Sequence, residues 1–235
     1  MKRILLLMVA ATFLFSVSFA FGQVTVPLTF NGSYQGNNAL GAGTGFYDGT
    51  INGVNVGPGY SSPGMICDDY FDHIAGGDSW TATGYQVSAL NAGNIGKTLF
   101  GGLIGLAGYT QLAYLVNDMF LNGVGNAALQ SSISQAIWYL TANAVSPGSI
   151  AFGSLDGGAQ TLVTYVQTNL GSLAALSTYT GLYLYTQPFA PPGVQEMWGQ
   201  VPVPEGGAAL MYLLLAGVTC FGAMFYSRRQ TAMGA

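Results

Sequence analysis

Residues 46–56 read FYDGTINGVNV and contain two turn signals, Asp48-Gly49 and Asn52-Gly53, among aromatic and β-branched residues. Such pairs are typical of β-hairpins, because both central residues of the tight turn need positive φ. Three more stretches are rich in aromatic and β-branched residues and are predicted as strands, at residues 24–30, 65–70 and 79–87. The first half of the chain is therefore predicted to form a sheet.

Apolar residues recur at helical spacing in three stretches farther along the chain. They are Leu112, Leu115, Val116, Met119 and Phe120; Leu129, Ile133, Ala136, Ile137 and Leu140; and Leu162, Val163, Val166, Leu170 and Leu173. A last strand is predicted at residues 179–186, followed by a Pro/Gly linker at residues 188–203. The fold class is therefore predicted as α+β, one β-rich domain at residues 23–187 with about three helices.

Charged residues make up only 6% of the chain, against roughly a quarter in an average protein. The interior has one lysine, Lys97, against nine acids, a formal charge of −8 with the single histidine neutral. The other four basic residues lie at the two ends of the chain. Phosphate ligands need arginine or lysine for charge-assisted hydrogen bonds, so no nucleic acid and no nucleotide cofactor is predicted.

The first 22 residues have the three parts of a secretory signal peptide. Lys2 and Arg3 precede an apolar run at residues 4–21, and small residues end the segment. Cleavage is expected after Ala20 or Gly22, and residues 1–22 are the preferred signal peptide. An uncleaved anchor is the alternative, because the apolar run is long for a signal peptide. Export by the Sec machinery is predicted.

Residues 206–227 are 22 consecutive uncharged residues, apolar on every side of a helix. At about 1.5 Å per residue this helix reaches about 33 Å, enough for a hydrocarbon core of about 30 Å. Arg228 and Arg229 follow directly, and basic residues stay on the cytoplasmic side. The sequence therefore predicts one C-terminal transmembrane helix, an extracytoplasmic domain and a cytoplasmic tail at residues 231–235.

Residues 201–207, VPVPEGG, lead into this span. The motif, the span and the double arginine resemble the PEP-CTERM sorting signal of exopolysaccharide-producing Gram-negative bacteria. Pro204 and Glu205 match the first two residues of the family's Pro-Glu-Pro motif, whereas Gly206 replaces the second proline. The resemblance covers residues 204–230. It implies processing by exosortase, a membrane protease-transpeptidase, and a final place at the cell surface or in an exopolysaccharide matrix.

Cys220 falls inside the predicted span, so Cys67 is the one thiol of the extracytoplasmic domain. Residues 65–80, MICDDYFDHIAGGDSW, place it beside four of the nine acids. With the segments 109–114, YTQLAY, and 134–139, SQAIWY, this stretch resembles recurrent exported PEP-CTERM proteins. It is also similar, more distantly, to the thioester domains of Gram-positive surface adhesins. That resemblance implies that a strand cysteine and a glutamine form an internal thioester, which captures an amine.

Two glutamines are candidates for the partner in that thioester. Gln135 lies next to the Ala-Ile-Trp segment, although Ser134 holds the position four before Trp138. Gln111 fits a Thr-Gln-x-Ala pattern, although no tryptophan follows it. The two aspartates after Cys67 are expected to raise the pKa of its thiol and to oppose attack. The alternative is a buried cysteine that acts as a small hydrophobic residue.

Asp68, Asp69, Asp72, His73 and Asp78 offer clustered ligands for a cation. Their spacing matches no calcium loop, so a solvated acidic loop without metal is predicted. No Gly-x-Ser-x-Gly motif and no distal histidine accompanies the cysteine, and no motif supports a carboxylate pair of the glycosidase type. The domain is therefore predicted to be a non-enzymatic binding or structural module without a cofactor, and the covalent thioester adhesin is the alternative.

Overall fold

The computed structural model describes residues 24–34, 40, 42–187 and 195–201. The predicted signal peptide at residues 1–22 and the predicted transmembrane helix at residues 206–227 lie outside these ranges. The sorting-signal residues also lie outside them, namely Pro204, Glu205, Gly206, Arg228 and Arg229. Within the described ranges, no helix has the length and apolarity needed to cross a bilayer.

The described residues contain one seven-stranded sheet in the order β3-β2-β1-β5-β6-β7-β4. Its strands are β1 Val24–Tyr34, β2 Tyr47–Ile51, β3 Val54–Val56, β4 Ile66–Cys67, β5 Ser79–Gln86, β6 Tyr183–Thr186 and β7 Met197–Gly199. The sheet curls, because the backbones of Tyr47 and Met65 exchange hydrogen bonds of 2.8 and 2.9 Å. This bridge brings the edge strand β4 toward β2.

The hairpin turn predicted at Asn52-Gly53 is confirmed and joins β2 to β3. Both residues have positive φ, 52° and 76°, as a two-residue hairpin turn requires. The second turn signal, Asp48-Gly49, is wrong, because both residues lie inside β2. A Cβ on Gly49 would lie 1.9 Å from the carbonyl oxygen of Thr29, so the glycine permits the close approach of β1.

Three α-helices are confirmed where the apolar periodicity predicts them. They are α1 Gly101–Asp118, α2 Ala127–Val145 and α3 Gly157–Thr168. Helix α1 breaks at Gly105, with φ 58° and ψ −165°, and continues into a π-helical turn at Met119–Gly123. Side chains of Asn126 and Asp156 cap the N-termini of α2 and α3 by accepting from the Leu129 and Ala159 amides.

The sheet has an apolar core on each of its two faces. One core packs the sheet against the helices, and the other lies inside the curl of the sheet. Successive side chains of a strand point to opposite faces, so Ile66 and Trp198 join the helix-side core while Cys67 and Met197 join the inner one. This alternation decides which neighbours each residue of β4 and β7 can reach.

The prediction of a linker at residues 188–203 is wrong for its second half. Residues Met197–Gly199 form β7, which lies between β6 and β4 in the sheet, and Trp198 is fully buried. The domain therefore extends past residue 187, because the sheet needs this returning segment to complete its core. The predicted strands at 65–70 and 179–186 are also shorter, at Ile66–Cys67 and Tyr183–Thr186.

Candidate functional site

The thiol of Cys67 contacts the side chain of Gln195, a residue 128 positions away in the chain. Its Sγ lies 3.1 Å from Gln195 Oε1 and 3.1 Å from the carbonyl oxygen of Asp69. Cys67 is 2% exposed and Gln195 is 6% exposed, so water is largely excluded from the contact. A buried thiol and a buried carboxamide therefore meet where strand β4 ends and strand β7 begins.

The loop after β4 holds the other end of this carboxamide. Gln195 Nε2 donates to the backbone carbonyls of Asp72 and, at 3.5 Å, of Asp69. The amide nitrogen of Asp69 in turn donates to Cys67 Sγ at 3.3 Å. The carboxamide is therefore oriented by fixed backbone groups, and one of these residues also supplies a donor to the sulfur.

The two glutamines predicted as thioester partners lie elsewhere. Gln135 donates to Asp156 Oδ2 at 2.6 Å and accepts from the Asp156 amide at 3.0 Å, so it supports the cap of α3. Gln111 donates to the carbonyl oxygen of Val166 at 3.1 Å. The glutamine that contacts Cys67 is therefore neither Gln135 nor Gln111 but Gln195, which lies in the segment predicted as a linker.

Helix α2 holds β4 from the opposite face of the sheet. Trp138 Nε1 donates to the carbonyl oxygen of Cys67 at 3.1 Å, and Thr141 Oγ1 donates to that of Asp68 at 2.6 Å. The two carbonyls belong to Cys67 itself and to the residue that follows it. The Ala-Ile-Trp segment therefore positions the cysteine strand without contributing its glutamine.

The environment of Cys67 keeps its thiol protonated. Burial raises the pKa of the thiol well above its ordinary value, and the charges of Asp69 and Asp68 raise it further. This direction agrees with the expectation from the two adjacent aspartates. A thiol of high pKa is a slow nucleophile, and in a thioester it is also a poor leaving group.

Two carboxyl groups lie directly behind this contact, on the helix-facing side of the sheet. Asp68 and Glu196 are 0% and 1% exposed. Trp198 Nε1 donates to Asp68 Oδ2 at 2.6 Å, whereas the Tyr109 hydroxyl and the Leu99 amide donate to Glu196 at 2.5 and 2.9 Å. Burial raises the pKa of both carboxyl groups, and the charge of Glu196 raises that of Asp68 further.

The remaining acids of the predicted cation cluster organise the loop. Asp69 Oδ1 accepts from the amides of Phe71 and Asp72, and Asp78 Oδ2 accepts from the amide of Ala75 at 2.6 Å. Burial raises the pKa of Asp69. In the described part of the chain, no group of three or more His, Cys, Asp or Glu residues is arranged to hold a metal ion.

A cleft of about 190 Å³ leads from the surface to the carboxamide of Gln195. Its polar side is formed by Asp69, Asp72 and His73. Its apolar lining includes the aromatic residues Phe30, Tyr47, Tyr70 and Trp138. A small molecule or a single side chain fits this volume beside Gln195.

Comparison of the chain with protein-family models, with curated proteins and with solved structures finds no match.

Proposed function

We propose that this chain is an exported surface or matrix protein whose domain forms an internal thioester between Cys67 and Gln195. The single observation that carries the proposal is the 3.1 Å separation of Cys67 Sγ and Gln195 Oε1 in a buried site. Such a domain acts as a covalent adhesin, and it reacts once instead of turning over as an enzyme does.

The reaction needs no cofactor. Cys67 Sγ attacks Cδ of Gln195, so that an S–C bond forms and the C–N bond of the carboxamide breaks. The thiol proton leaves with the nitrogen as ammonia. An arriving amine then attacks Cδ, the C–S bond breaks, and the sulfur takes a proton from the amine. The product is an amide between Gln195 and the target, with a free Cys67 thiol.

Three features of the site support this chemistry. The Asp69 amide, 3.3 Å from Sγ, stabilises the negative charge that develops on the sulfur when the C–S bond breaks. The raised pKa of the Cys67 thiol makes the sulfur a poor leaving group, so the bond survives until a strong nucleophile arrives. Burial also limits hydrolysis by excluding water.

The cleft favours a cationic amine over an anionic or neutral nucleophile. Asp69 and Asp72 attract an ammonium group, and the aromatic residues Tyr70 and Trp138, a class of side chain that attracts cations, line the same cleft. His73, the one histidine of the chain, lines the cleft and serves as the acceptor for the proton that the ammonium must lose before attack. The volume of about 190 Å³ suits an amine on an extended side chain.

Intact-mass spectrometry of the purified protein tests the thioester. We expect a mass about 17 Da below the sequence mass, because ammonia is lost, and a gain of about 31 Da on treatment with methylamine. Peptide mapping should place the methylamine on Gln195. Full sequence mass in protein that was never exposed to amines would refute the proposal and leave Cys67 as a buried apolar residue.

The cellular location is proposed from the sequence. The signal peptide, the apolar span and the terminal arginines support Sec export, an inner-membrane anchor and an extracytoplasmic domain. Processing by exosortase and association with exopolysaccharide follow from the resemblance of the C-terminal region to PEP-CTERM signals. A thioester on such a domain would attach it to amines outside the cell.

Reporter fusions test this orientation. A reporter that is active only outside the cytoplasm should be active when fused after Thr186 and inactive when fused after Ala235. The reason is that Arg228 and Arg229 hold the last residues in the cytoplasm. The same reporter on a chain without residues 1–22 is the control and should be inactive at both positions. Activity after Ala235 in the intact chain contradicts the orientation.

A further inference from the structure

Asp68 and Glu196 lie directly opposite each other on neighbouring antiparallel strands. The register pairs Cys67 with Met197, and one residue farther along, the Asp68 amide donates to the carbonyl oxygen of Glu196 at 3.5 Å. Like charges directly opposite on adjacent strands are destabilising, and burial of both makes the repulsion stronger. The strand pair is therefore stable only if the two carboxyl groups hold a proton between them.

The hydrogen bonds around the pair agree with one shared proton. Trp198 donates to Asp68 Oδ2, and donors from Tyr109 and Leu99 reach both oxygens of Glu196. The fourth oxygen, Asp68 Oδ1, is buried and has no N–H or O–H donor among the described residues. A proton on Asp68 that points to Glu196 gives this oxygen its partner and leaves one negative charge for the pair.

In the part of the chain that the structure describes, no cationic group is among those that act on the pair. Asp69 and Cys67, the chain neighbours of Asp68, lie next to the carboxyl pair. The other groups that face the pair are Tyr109 from α1, Thr186 from β6 and the Leu99 amide. All of these are anionic or neutral. The charge of Glu196 and its hydrogen bond to Asp68 both act to raise the pKa of Asp68, which favours the shared proton.

Each member of the pair is the chain neighbour of one reacting residue. Asp68 follows Cys67, and Glu196 follows Gln195. Strand alternation puts the carboxyl groups on the helix-facing side and the thiol and carboxamide on the inner side. The separation of the two strands at this position therefore sets the distance between sulfur and carboxamide.

We propose that Asp68 and Glu196 are positioning residues for thioester formation, and that their shared proton holds the two strand segments at the separation the reaction needs. This inference rests on the proposed thioester. Removal of the proton places two charges opposite each other, the segments separate, and Cys67 no longer meets Gln195. Formation of the bond is thereby confined to conditions in which the pair is protonated.

Asp68→Asn separates this role from simple support of the fold. The asparagine amide accepts from Trp198 through Oδ1 and donates to Glu196 through Nδ2, so it reproduces the protonated pair but cannot lose the proton. Asp69→Asn is the matched control, because its Oδ1 still accepts from the Phe71 and Asp72 amides. The control also removes an acid next to Cys67, but it does not belong to the carboxyl pair.

The experiment follows the reformation of the thioester. The full chain, purified in detergent, is treated with ammonia, which reverses the reaction and regenerates Gln195 and the Cys67 thiol. After removal of ammonia, the return of the mass deficit gives a rate constant at each pH. We expect the ratio of the wild-type to the Asp68→Asn rate constant to fall about tenfold per pH unit above the pKa of the pair. Because the charge of Asp68 also raises the pKa of the Cys67 thiol, each rate constant is divided by the thiolate fraction measured for that protein at the same pH before the ratio is taken.

The outcomes separate the two proposals. A wild-type to Asp68→Asn ratio that is independent of pH overturns the positioning role while the thioester stands. A wild-type chain that shows no mass deficit at any pH overturns both. If Asp68→Asn does not fold, the wild-type free energy of unfolding provides the second test. The raised pKa values of the two carboxyl groups add to the free energy of unfolding. This contribution is fully present at a pH below the ordinary carboxyl pKa and is lost as the pH rises through the raised pKa values. A free energy of unfolding that does not fall as the pH rises through this range overturns the proposal of a shared proton.

Discussion

Gln195→Ala is expected to abolish the mass deficit of about 17 Da and all incorporation of methylamine. Among the described residues, Gln195 provides the carboxamide that contacts Cys67 Sγ, at 3.1 Å. The alanine leaves the thiol without an acyl group to attack. Intact-mass spectrometry before and after methylamine treatment measures the effect, and thiol titration of the unfolded protein should detect one more free thiol than in the wild type.

Gln111→Ala and Gln135→Ala are the matched controls for this loss. Both remove a carboxamide of the same size. Both are expected to keep the full mass deficit, because the side chains of Gln111 and Gln135 form hydrogen bonds to Val166 and Asp156 and do not contact Cys67. Gln135→Ala should also lower stability, since the cap of α3 loses a supporting contact. Loss of the deficit in either control, with retention in Gln195→Ala, would refute the assignment of the partner.

Trp198→Phe is expected to lower the free energy of unfolding by about 2–3 kcal/mol beyond the cost of the missing ring atoms. Trp198 is fully buried, and its Nε1 donates to Asp68 Oδ2 at 2.6 Å. The phenylalanine keeps the stacking on Tyr109, whose ring lies 5.9 Å away, but leaves the Asp68 oxygen without a donor. Urea denaturation measures the change.

Trp80→Phe is the control for the same change of side chain. Trp80 is 9% exposed, and its buried Nε1 has no hydrogen-bond partner in the described part of the chain. The replacement removes the same atoms without breaking a hydrogen bond, so only the cavity cost of about 1 kcal/mol is expected. Equal destabilisation by the two replacements would show that the bond to Asp68 contributes nothing.

Local pattern predicted most of the secondary structure. Helix α2 follows from the spacing of Ile133, Ala136 and Ile137, and the β2–β3 turn follows from Asn52-Gly53, since both depend on residues a few positions apart. Gly49 shows the limit of such patterns. Its dipeptide is a turn signal, but the glycine serves the close approach of β1, a contact that no local window contains.

The partner of Cys67 was missed because its segment has a weak local signal. Residues 188–203 contain four prolines in two groups, and proline is typical of linkers. Within them, Met197 and Trp198 are large apolar residues that a solvated linker does not need, and they are the signal that was available. Gln195 and Glu196 precede them directly. A buried strand predicted at Met197 and Trp198 places both residues inside the domain instead of in a linker.

The sequence by itself determined the charge-poor and acidic interior and the type of most main elements, and the signal peptide and membrane span at the two ends stay predictions from it. These depend on composition and on neighbours along the chain. Only the tertiary structure decided which glutamine meets Cys67 and that Asp68 faces Glu196. The physical reason is that β4 and β7 pair residues about 130 positions apart, as Cys67 with Met197, and such a pairing arises from burial of the whole sheet, which no short stretch of residues encodes.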